Sequence, residues 1–123
     1  MMLETAKRLH DAASACAELQ EIMGDRTKET FLDDRLRKLA VWKLIEVVGE
    51  ALRQADATEP AVTARIPDLR EIIDTRNRIT HGYDSVDFGL LWDIVRDEIP
   101  SLHSVLTTLL LEAPDITRDE TQS

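Results

Sequence analysis

Apolar residues recur along this chain at steps of three and four, which places them on one face of an α-helix. The first series is Met2, Leu9, Ala12, Cys16, Leu19 and Met23. Gly24-Asp25 follows it directly, and glycine tolerates the left-handed backbone that often ends a helix. The pattern therefore predicts a first helix that ends before Gly24.

The second predicted helix has two neighbouring apolar stripes. Thr30 is its expected N-cap, with Asp33 near the positive end of the helix dipole. One stripe comprises Leu36, Ala40, Leu44, Val47 and Ala51, and the other comprises Val41, Ile45, Val48 and Leu52. Because two stripes make a wide apolar face, we expect this helix at the centre of the core.

The second half of the chain predicts two more main helices and a short fifth. Pro67 suits the first turn of the third helix, and Gly82 can end it. Asp87 can cap a fourth helix that starts near Phe88, and Pro100 either kinks that helix or begins a fifth. The apolar stripe continues past this proline through Leu91, Val95, Ile99, Leu102, Leu106 and Leu109.

No segment alternates apolar and polar residues as a strand does. The pattern therefore predicts an all-α fold, an up-and-down bundle of four main helices plus a short fifth. A chain of 123 residues fits one domain. We assign residues 1–112 to the helical domain and residues 113–123 to a polar C-terminal tail.

Composition narrows the class of protein. The apolar runs are too short to span a membrane, and the N-terminus lacks the pattern of a signal peptide, so we expect a cytoplasmic protein. The single cysteine, Cys16, excludes an internal disulfide and a zinc site built on several thiolates. A formal net charge of −9 argues against broad, unspecific binding to nucleic acid.

The positive charges are nevertheless uneven. One cluster contains Arg35, Arg37, Lys38 and Lys43, and another contains Arg65, Arg70, Arg76 and Arg78. Such clusters leave room for a small basic cleft on an acidic protein. The alternative is that they are solvated helix faces paired with nearby carboxylates.

The segment Arg76-Asn77-Arg78-Ile79-Thr80-His81-Gly82-Tyr83 combines the side chains suited to a phosphodiester. Arginine grips phosphate oxygens as a planar, always charged fork, and histidine exchanges a proton near neutral pH. The Arg-x4-His spacing alone is a weak signal. Asn77 directly after Arg76, and Tyr83 two residues after His81, make the pattern more specific.

Helix geometry limits how this segment can work. Arg76 and His81 are five residues apart, about 140° around an ideal helix, so they do not share a face. Either the helix ends near Thr80 and Gly82 turns the chain, or the site is assembled from two copies of the motif in a two-fold dimer. The sequence leaves both arrangements open.

Each residue of the segment also has a structural explanation. His81 could be a polar residue at a helix end, Asn77 a surface residue, and Tyr83 a half-buried aromatic whose hydroxyl bonds to the backbone. His10 and His103 have no ligand partner at metal-binding spacing, so we interpret them as structural or solvated. We predict no metal site and no cofactor.

The chain resembles the HepT-like branch of the HEPN domains, small helical ribonuclease toxins of prokaryotic toxin–antitoxin pairs. The complete motif Arg-Asn-x3-His-x-Tyr carries the resemblance. Val47-Val48-Gly49-Glu50-Ala51 is similar to a segment of the family's second helix, and Ile99-Pro100-Ser101-Leu102 to its closing helices. One departure is that Pro67 is followed by Asp68-Leu69, where the family often has a tryptophan.

The resemblance implies a homodimer whose motifs meet in one cleft and cleave an RNA substrate without a metal. Arg76 and His81 would be the catalytic residues, as phosphate clamp and general acid or base, and Asn77 would position the phosphate or Arg76. The resemblance also implies a partner, an MntA-type nucleotidyltransferase antitoxin that transfers AMP to Tyr83 and silences the toxin.

A different class of function is also compatible with the sequence. The chain could be a non-catalytic helical module that binds a nucleotidyltransferase partner or its nucleotide. The net charge of −9 favours this alternative slightly. The complete Arg76 and His81 pair favours the ribonuclease, because a pure adaptor needs neither.

Overall fold

The computed structural model describes residues 1–79 and 82–114, and of Tyr83 only the backbone. Within this part of the chain the structure contains seven α-helices, one 3₁₀ turn and no strand. The helices are α1 (Leu3–Met23), α2 (Lys28–Leu32), α3 (Arg35–Thr58), α4 (Pro60–Thr63), α5 (Leu69–Ile79), α6 (Phe88–Asp97) and α7 (Ile99–Leu110), and the turn covers Tyr83–Ser85. The prediction of an all-α bundle is confirmed.

Two helix starts differ from the sequence prediction. Thr27, not Thr30, caps a short α2, and its hydroxyl accepts a hydrogen bond from the Thr30 amide at 3.2 Å. Thr30 returns the bond by accepting from the Thr27 amide at 3.2 Å. Asp34 then caps α3 by accepting from the Arg37 amide at 3.1 Å. The prediction that Thr30 caps the long helix was therefore wrong. The segment contains two helix starts, and Thr27 caps the first and Asp34 the second.

The long helix α3 packs against α1, α5, α4, α2 and α6. Its Val41, Ile45, Val48 and Leu52 stripe is buried, as predicted. The second stripe is not, because Leu36 is 79% exposed and only Ala51 is buried. The wide buried face was thus only partly right, since Leu44 and Val47 are half-buried against the core and Leu36 is left exposed.

The C-terminal part follows its sequence signals more closely. Asp87 caps α6 by accepting from the Leu90 amide at 3.1 Å. A separate helix, α7, starts at Ile99 with Pro100 in its first turn, so Pro100 begins a helix rather than kinking one. The predicted stripe from Leu91 to Leu109 is buried throughout.

Between these parts, two short features position α5. The helix α4 starts at Pro60 and was not predicted, and α5 begins at Leu69, two residues after Pro67. Asp68 just before α5 has a φ of 57°, a left-handed conformation that Asp tolerates better than most residues. The chain thereby turns so that α5 packs along α3.

Two leucines on α3 test this division of the helix. Leu52 is fully buried, so Leu52→Ala should lower the free energy of unfolding by about 2–5 kcal/mol. Leu36→Ala makes the same deletion at an exposed position and should change it by less than about 0.5 kcal/mol. Urea unfolding of both variants measures the difference. An equal and large loss in both would mean that Leu36 is buried in solution, for example by a second chain.

Candidate functional site

The motif arginine lies on α5, which is fastened to α3 at its C-terminal end. Trp42 on α3 donates a hydrogen bond from its indole Nε1 to the carbonyl oxygen of Ile79 at 2.6 Å. Ile79 is the last residue of α5, so this bond satisfies a carbonyl that the helix itself leaves without a partner. The Trp42 ring also meets Phe88 edge-to-face, with ring centroids 6.5 Å apart. These contacts hold the chain two residues before His81.

The two helices approach most closely at Gly49. A β-carbon built at this position would overlap Arg76 Cβ and would lie 2.6 Å from Arg76 Cγ. Real β-carbons do not tolerate such distances, so only glycine admits Arg76 here. Glycine inside a helix costs about 0.5–1 kcal/mol relative to alanine. At Gly49 this cost is accompanied by the packing of the Arg76 aliphatic stem directly against α3.

Arg76 also pairs with the residue after this glycine. Its Nη2 lies 3.1 Å from Glu50 Oε2, and its Nη1 donates to Asn77 Oδ1 at 3.1 Å. The Arg76 side chain is only 25% exposed, and its Nε is buried without a hydrogen-bond partner among the described residues. Arg76, Asn77 and Glu50 therefore form one group at the seam between the helices.

Glu50 is itself tightly held. Arg53 donates two hydrogen bonds to it, at 2.7 Å and 3.1 Å, and Gln54 donates a third at 3.0 Å. These bonds, with the nearby charges of Arg53 and Arg76, lower the pKa of Glu50 to about 2. The carboxylate is consequently ionised at every pH near neutrality.

The structure describes only some of the remaining motif residues. His81 and the side chain of Tyr83 lie outside the described residues, so the predicted roles of both stay predictions. The backbone of Tyr83 begins the 3₁₀ turn, after an exposed Gly82. Arg78 contacts Thr75 Oγ1 at 3.4 Å, on a different side of α5 from the contact with Glu50. The two histidines interpreted as structural or solvated fit that interpretation, since His10 is exposed and His103 bonds Gln20 Oε1 at 2.9 Å.

A groove beside α5 is not lined by Arg76. It encloses about 660 Å³ between α5, α6 and α7, with Ile45 and Val48 of α3 at its base. Its lining includes five carboxylates, from Asp68, Glu71, Asp74, Asp97 and Glu98, and one cation, Arg78. Such a charge balance opposes binding of a phosphate chain, so RNA has no electrostatic reason to enter this groove.

Neither a metal site nor a membrane segment is evident in this part of the chain. The described residues contain no group of three or more histidine, cysteine, aspartate or glutamate side chains placed to hold a metal ion. None of the described helices combines the length and the apolar character needed to cross a lipid bilayer.

Comparison with known proteins identifies the family. The family model described as "Ribonuclease HepT-like" matches residues 12–109. The chain belongs to the HepT-like ribonuclease family. The match includes α3 with Gly49 and Glu50 as well as the whole motif on and after α5.

Several curated proteins are similar to this HepT-like chain. "Probable ribonuclease HepT" of Thermococcus cleftensis is 33% identical over 94 residues, which covers 76% of this chain and 84% of that protein. "Putative RNase MJ1380" of Methanocaldococcus jannaschii is 27% identical over 94 residues, 76% of this chain and 85% of that protein. "Putative RNase TTE0752" of Caldanaerobacter subterraneus is 25% identical over 95 residues, 77% of this chain and 84% of that protein. No solved structure matches the chain significantly.

Sequence reasoning placed Arg76 and Asn77 in a common site, and the structure brings them into contact. It gave no role to Gly49, Glu50 or Trp42. A glycine in the middle of a helical pattern is a usable sign of close packing. Nothing in the sequence marks Trp42, because its contact with Ile79 joins residues 37 positions apart.

Gly49→Ala tests the close approach of the helices. The added methyl group has to push Arg76 and α5 away from α3, so the free energy of unfolding should fall by about 1–3 kcal/mol. Gly89→Ala is the matched control, because that helical glycine faces only Asp87 Oδ1 at 3.3 Å and the flexible end of Lys28. Since the Asp87 cap has to move by only a few tenths of an ångström, the free energy of unfolding should change by less than about 1 kcal/mol in either direction. Chemical denaturation compares them, and equal stability of both variants would contradict the described packing.

Proposed function

We propose that this HepT-like protein is a metal-independent endoribonuclease, the toxin of a HepT/MntA-type toxin–antitoxin pair. One observation carries the proposal. In a member of this family, Arg76 is held at the end of α5 with its guanidinium fixed by Glu50 and Asn77, five residues before His81. A fixed cation next to a titratable imidazole is the equipment that cleavage of a phosphodiester requires.

The proposed chemistry uses the RNA's own 2′-hydroxyl as nucleophile. His81 accepts the proton of the 2′-hydroxyl or donates one to the leaving 5′-oxygen, and solvent water exchanges the other proton. The 2′-oxygen bonds to phosphorus as the bond to the 5′-oxygen breaks, which leaves a 2′,3′-cyclic phosphate and a 5′-hydroxyl. Arg76 balances the charge that builds on the phosphoryl oxygens, with Asn77 fixing its orientation. Charge compensation and proton transfer are then both supplied by side chains.

The site is proposed to form in a homodimer. Arg76 packs its stem into α3 at Gly49, so its direction is determined by its own subunit. In a continuous ideal helix, a residue five positions after Arg76 would lie about 140° around the axis from it. A two-fold seam that places two motifs opposite each other would supply an arginine and a histidine to each phosphate.

The proposed partner is a nucleotidyltransferase antitoxin that transfers AMP to Tyr83. Tyr83 follows an exposed Gly82, and among the described residues beyond its chain neighbours no atom lies within 4 Å of a β-carbon placed at Gly82, which leaves room at this position. AMP on the tyrosine would bring a phosphodiester anion near Arg76 and compete with the RNA phosphate.

One observation favours a second candidate, a non-catalytic module that binds a nucleotidyltransferase. The net charge is −9, and the groove between α5, α6 and α7 is lined by five carboxylates and one arginine. A cationic protein surface suits such a groove better than RNA does. The two candidates separate on whether the purified protein cleaves RNA.

The first prediction concerns cleavage itself. Wild-type protein should cleave RNA in the presence of EDTA and leave 2′,3′-cyclic phosphate ends. Arg76→Ala and His81→Ala should each lose about 10²- to 10⁴-fold in rate, as expected for loss of charge compensation or of an acid–base group. Arg78→Ala is the control, since it removes the same charge two residues away on a side chain that contacts Thr75 rather than Glu50.

Cleavage rates and thermal midpoints are measured on the same preparations. Full activity of Arg76→Ala or His81→Ala would refute the assigned roles. Cleavage that stops in EDTA, or that proceeds on RNA with a 2′-deoxy group at the scissile position, would refute the mechanism. A folded wild-type protein that cleaves no RNA would favour the binding module.

The second prediction concerns Tyr83. Incubation with ATP, Mg²⁺ and a nucleotidyltransferase encoded beside this protein should add AMP to the wild type and stop cleavage. Tyr83→Phe should cleave RNA and gain no mass, because it lacks the acceptor hydroxyl. Intact-protein mass spectrometry and the cleavage assay report the two effects. AMP on Tyr83→Phe, or undiminished cleavage by the modified wild type, would overturn this regulation.

A further inference from the structure

We infer that Glu50 is a positioning residue for Arg76 in RNA cleavage. The inference rests on the ribonuclease function proposed above and extends it to a residue on another helix. Glu50 touches no reacting atom in this scheme. It acts by fixing the guanidinium that does.

The contact has the geometry for this role. Glu50 Oε2 lies 3.1 Å from Arg76 Nη2, and the two side chains are 29% and 25% exposed. Ion pairs on open surfaces contribute little, because water competes and two mobile side chains have to be ordered. Here both side chains are partly shielded, and the Arg76 stem is already immobilised against Gly49. Packing of the two helices therefore already restricts the Arg76 side chain, so that forming the ion pair costs less conformational entropy than at an open surface.

Glu50 is itself fixed by residues of its own helix. The two hydrogen bonds from Arg53 grip both of its carboxylate oxygens, and Gln54 donates to Oε1. Arg53 and Gln54 follow Glu50 by three and four residues on α3, which is the spacing of neighbours on one helix face. The carboxylate is thus held by its own helix, and α5 docks Arg76 against an acceptor that is already in place.

The remaining contacts leave part of the guanidinium available to phosphate. Of its five N–H donors, one on Nη1 donates to Asn77, while Nη2 lies 3.1 Å from a Glu50 oxygen as an ion pair. The Nε is buried, so a phosphate has to approach the outer hydrogens of the two Nη atoms. Glu50 and Asn77 together determine the plane in which those hydrogens lie.

A change of charge at Glu50 distinguishes the positioning of Arg76 from simple electrostatic attraction of RNA. Glu50 contributes −1, and Arg53 and Arg76 contribute +1 each, so the group sums to +1. Replacing Glu50 by glutamine raises the sum to +2 and should attract RNA more strongly. It also replaces a charged acceptor by a weaker neutral one and loosens Arg76. Positioning therefore predicts slower turnover in spite of stronger attraction.

Glu50→Gln is the central experiment. We expect kcat to fall by about 10- to 100-fold, the scale on which small displacements of a catalytic group reduce rates, with KM unchanged or lower. Glu46→Gln is the matched control. It removes the same charge one turn earlier on α3, where Glu46 pairs with Lys43 and not with Arg76. It should leave kcat within about twofold of the wild type.

A double-mutant comparison tests whether Glu50 acts through Arg76. Arg76→Lys keeps the charge and loses the planar fork that Glu50 orients. Glu50→Gln should then slow Arg76→Lys by less than about threefold, although it slows the wild type much more. Equal fold-losses in both backgrounds would mean that Glu50 acts independently of Arg76 and would overturn the inference.

An activity-independent readout completes the design. Guanidinium ¹⁵N spectra should show restricted rotation of the Arg76 Nη groups in the wild type and in Glu46→Gln, and free rotation in Glu50→Gln. The Arg76 signals are assigned by their loss in Arg76→Lys. Free rotation of Arg76 in the wild type would overturn the inference even if no RNA substrate were found.

The outcomes separate the two proposals. Wild-type protein without ribonuclease activity refutes the proposed function. An active wild type with an equally active or faster Glu50→Gln variant refutes the positioning role alone. A Glu50→Gln loss matched by Glu46→Gln would assign the effect to the general charge of α3 and would also refute it.

Discussion

The close approach of α5 to α3 at Gly49 is the constraint on which the rest of the site depends. With no side chain at position 49, the Arg76 stem lies where a β-carbon would otherwise be. That placement brings the guanidinium within reach of Glu50 and partly removes it from water. The bond from Trp42 to the Ile79 carbonyl then fastens the end of the same helix. Three residues of α3 thus hold α5: Gly49 by leaving space, Glu50 by an ion pair and Trp42 by a hydrogen bond.

This arrangement keeps a cation at a defined place on an acidic protein. The overall charge of −9 repels RNA at long range, and the carboxylate-rimmed groove beside α5 repels it locally. Arg76 stands apart from that groove, in a group with Arg53 and Glu50 whose charge sums to +1. A site of this kind gains little from general attraction and depends on the precise placement of a few donors.

The helical bundle provides a rigid frame for that placement. The Val41, Ile45, Val48 and Leu52 stripe of α3 is buried by its neighbours, while the adjacent stripe at Leu36 stays open. The helix is therefore anchored along one side, which fixes the positions of Gly49 and Glu50 relative to Arg76 on α5. Burial raises the pKa of Cys16 to about 12, so this thiol stays protonated and unreactive inside the core.

The sequence by itself determined the helical class, several helix ends and the identity of the motif. These features are local: Gly24 and Asp87 act on their own helix ends, and the stripe from Leu91 to Leu109 follows from helical periodicity. Local signals were misleading at the start of the long helix, where Thr27 and Asp34 cap two separate helices. They were also misleading at Leu36, which belongs to an apolar stripe but is exposed. Only the tertiary structure decided that Gly49, Glu50 and Trp42 on one helix hold Arg76 and Ile79 on another. Those contacts join residues 26 to 37 positions apart. No periodicity encodes them, because they depend on how two helices pack rather than on how either one forms.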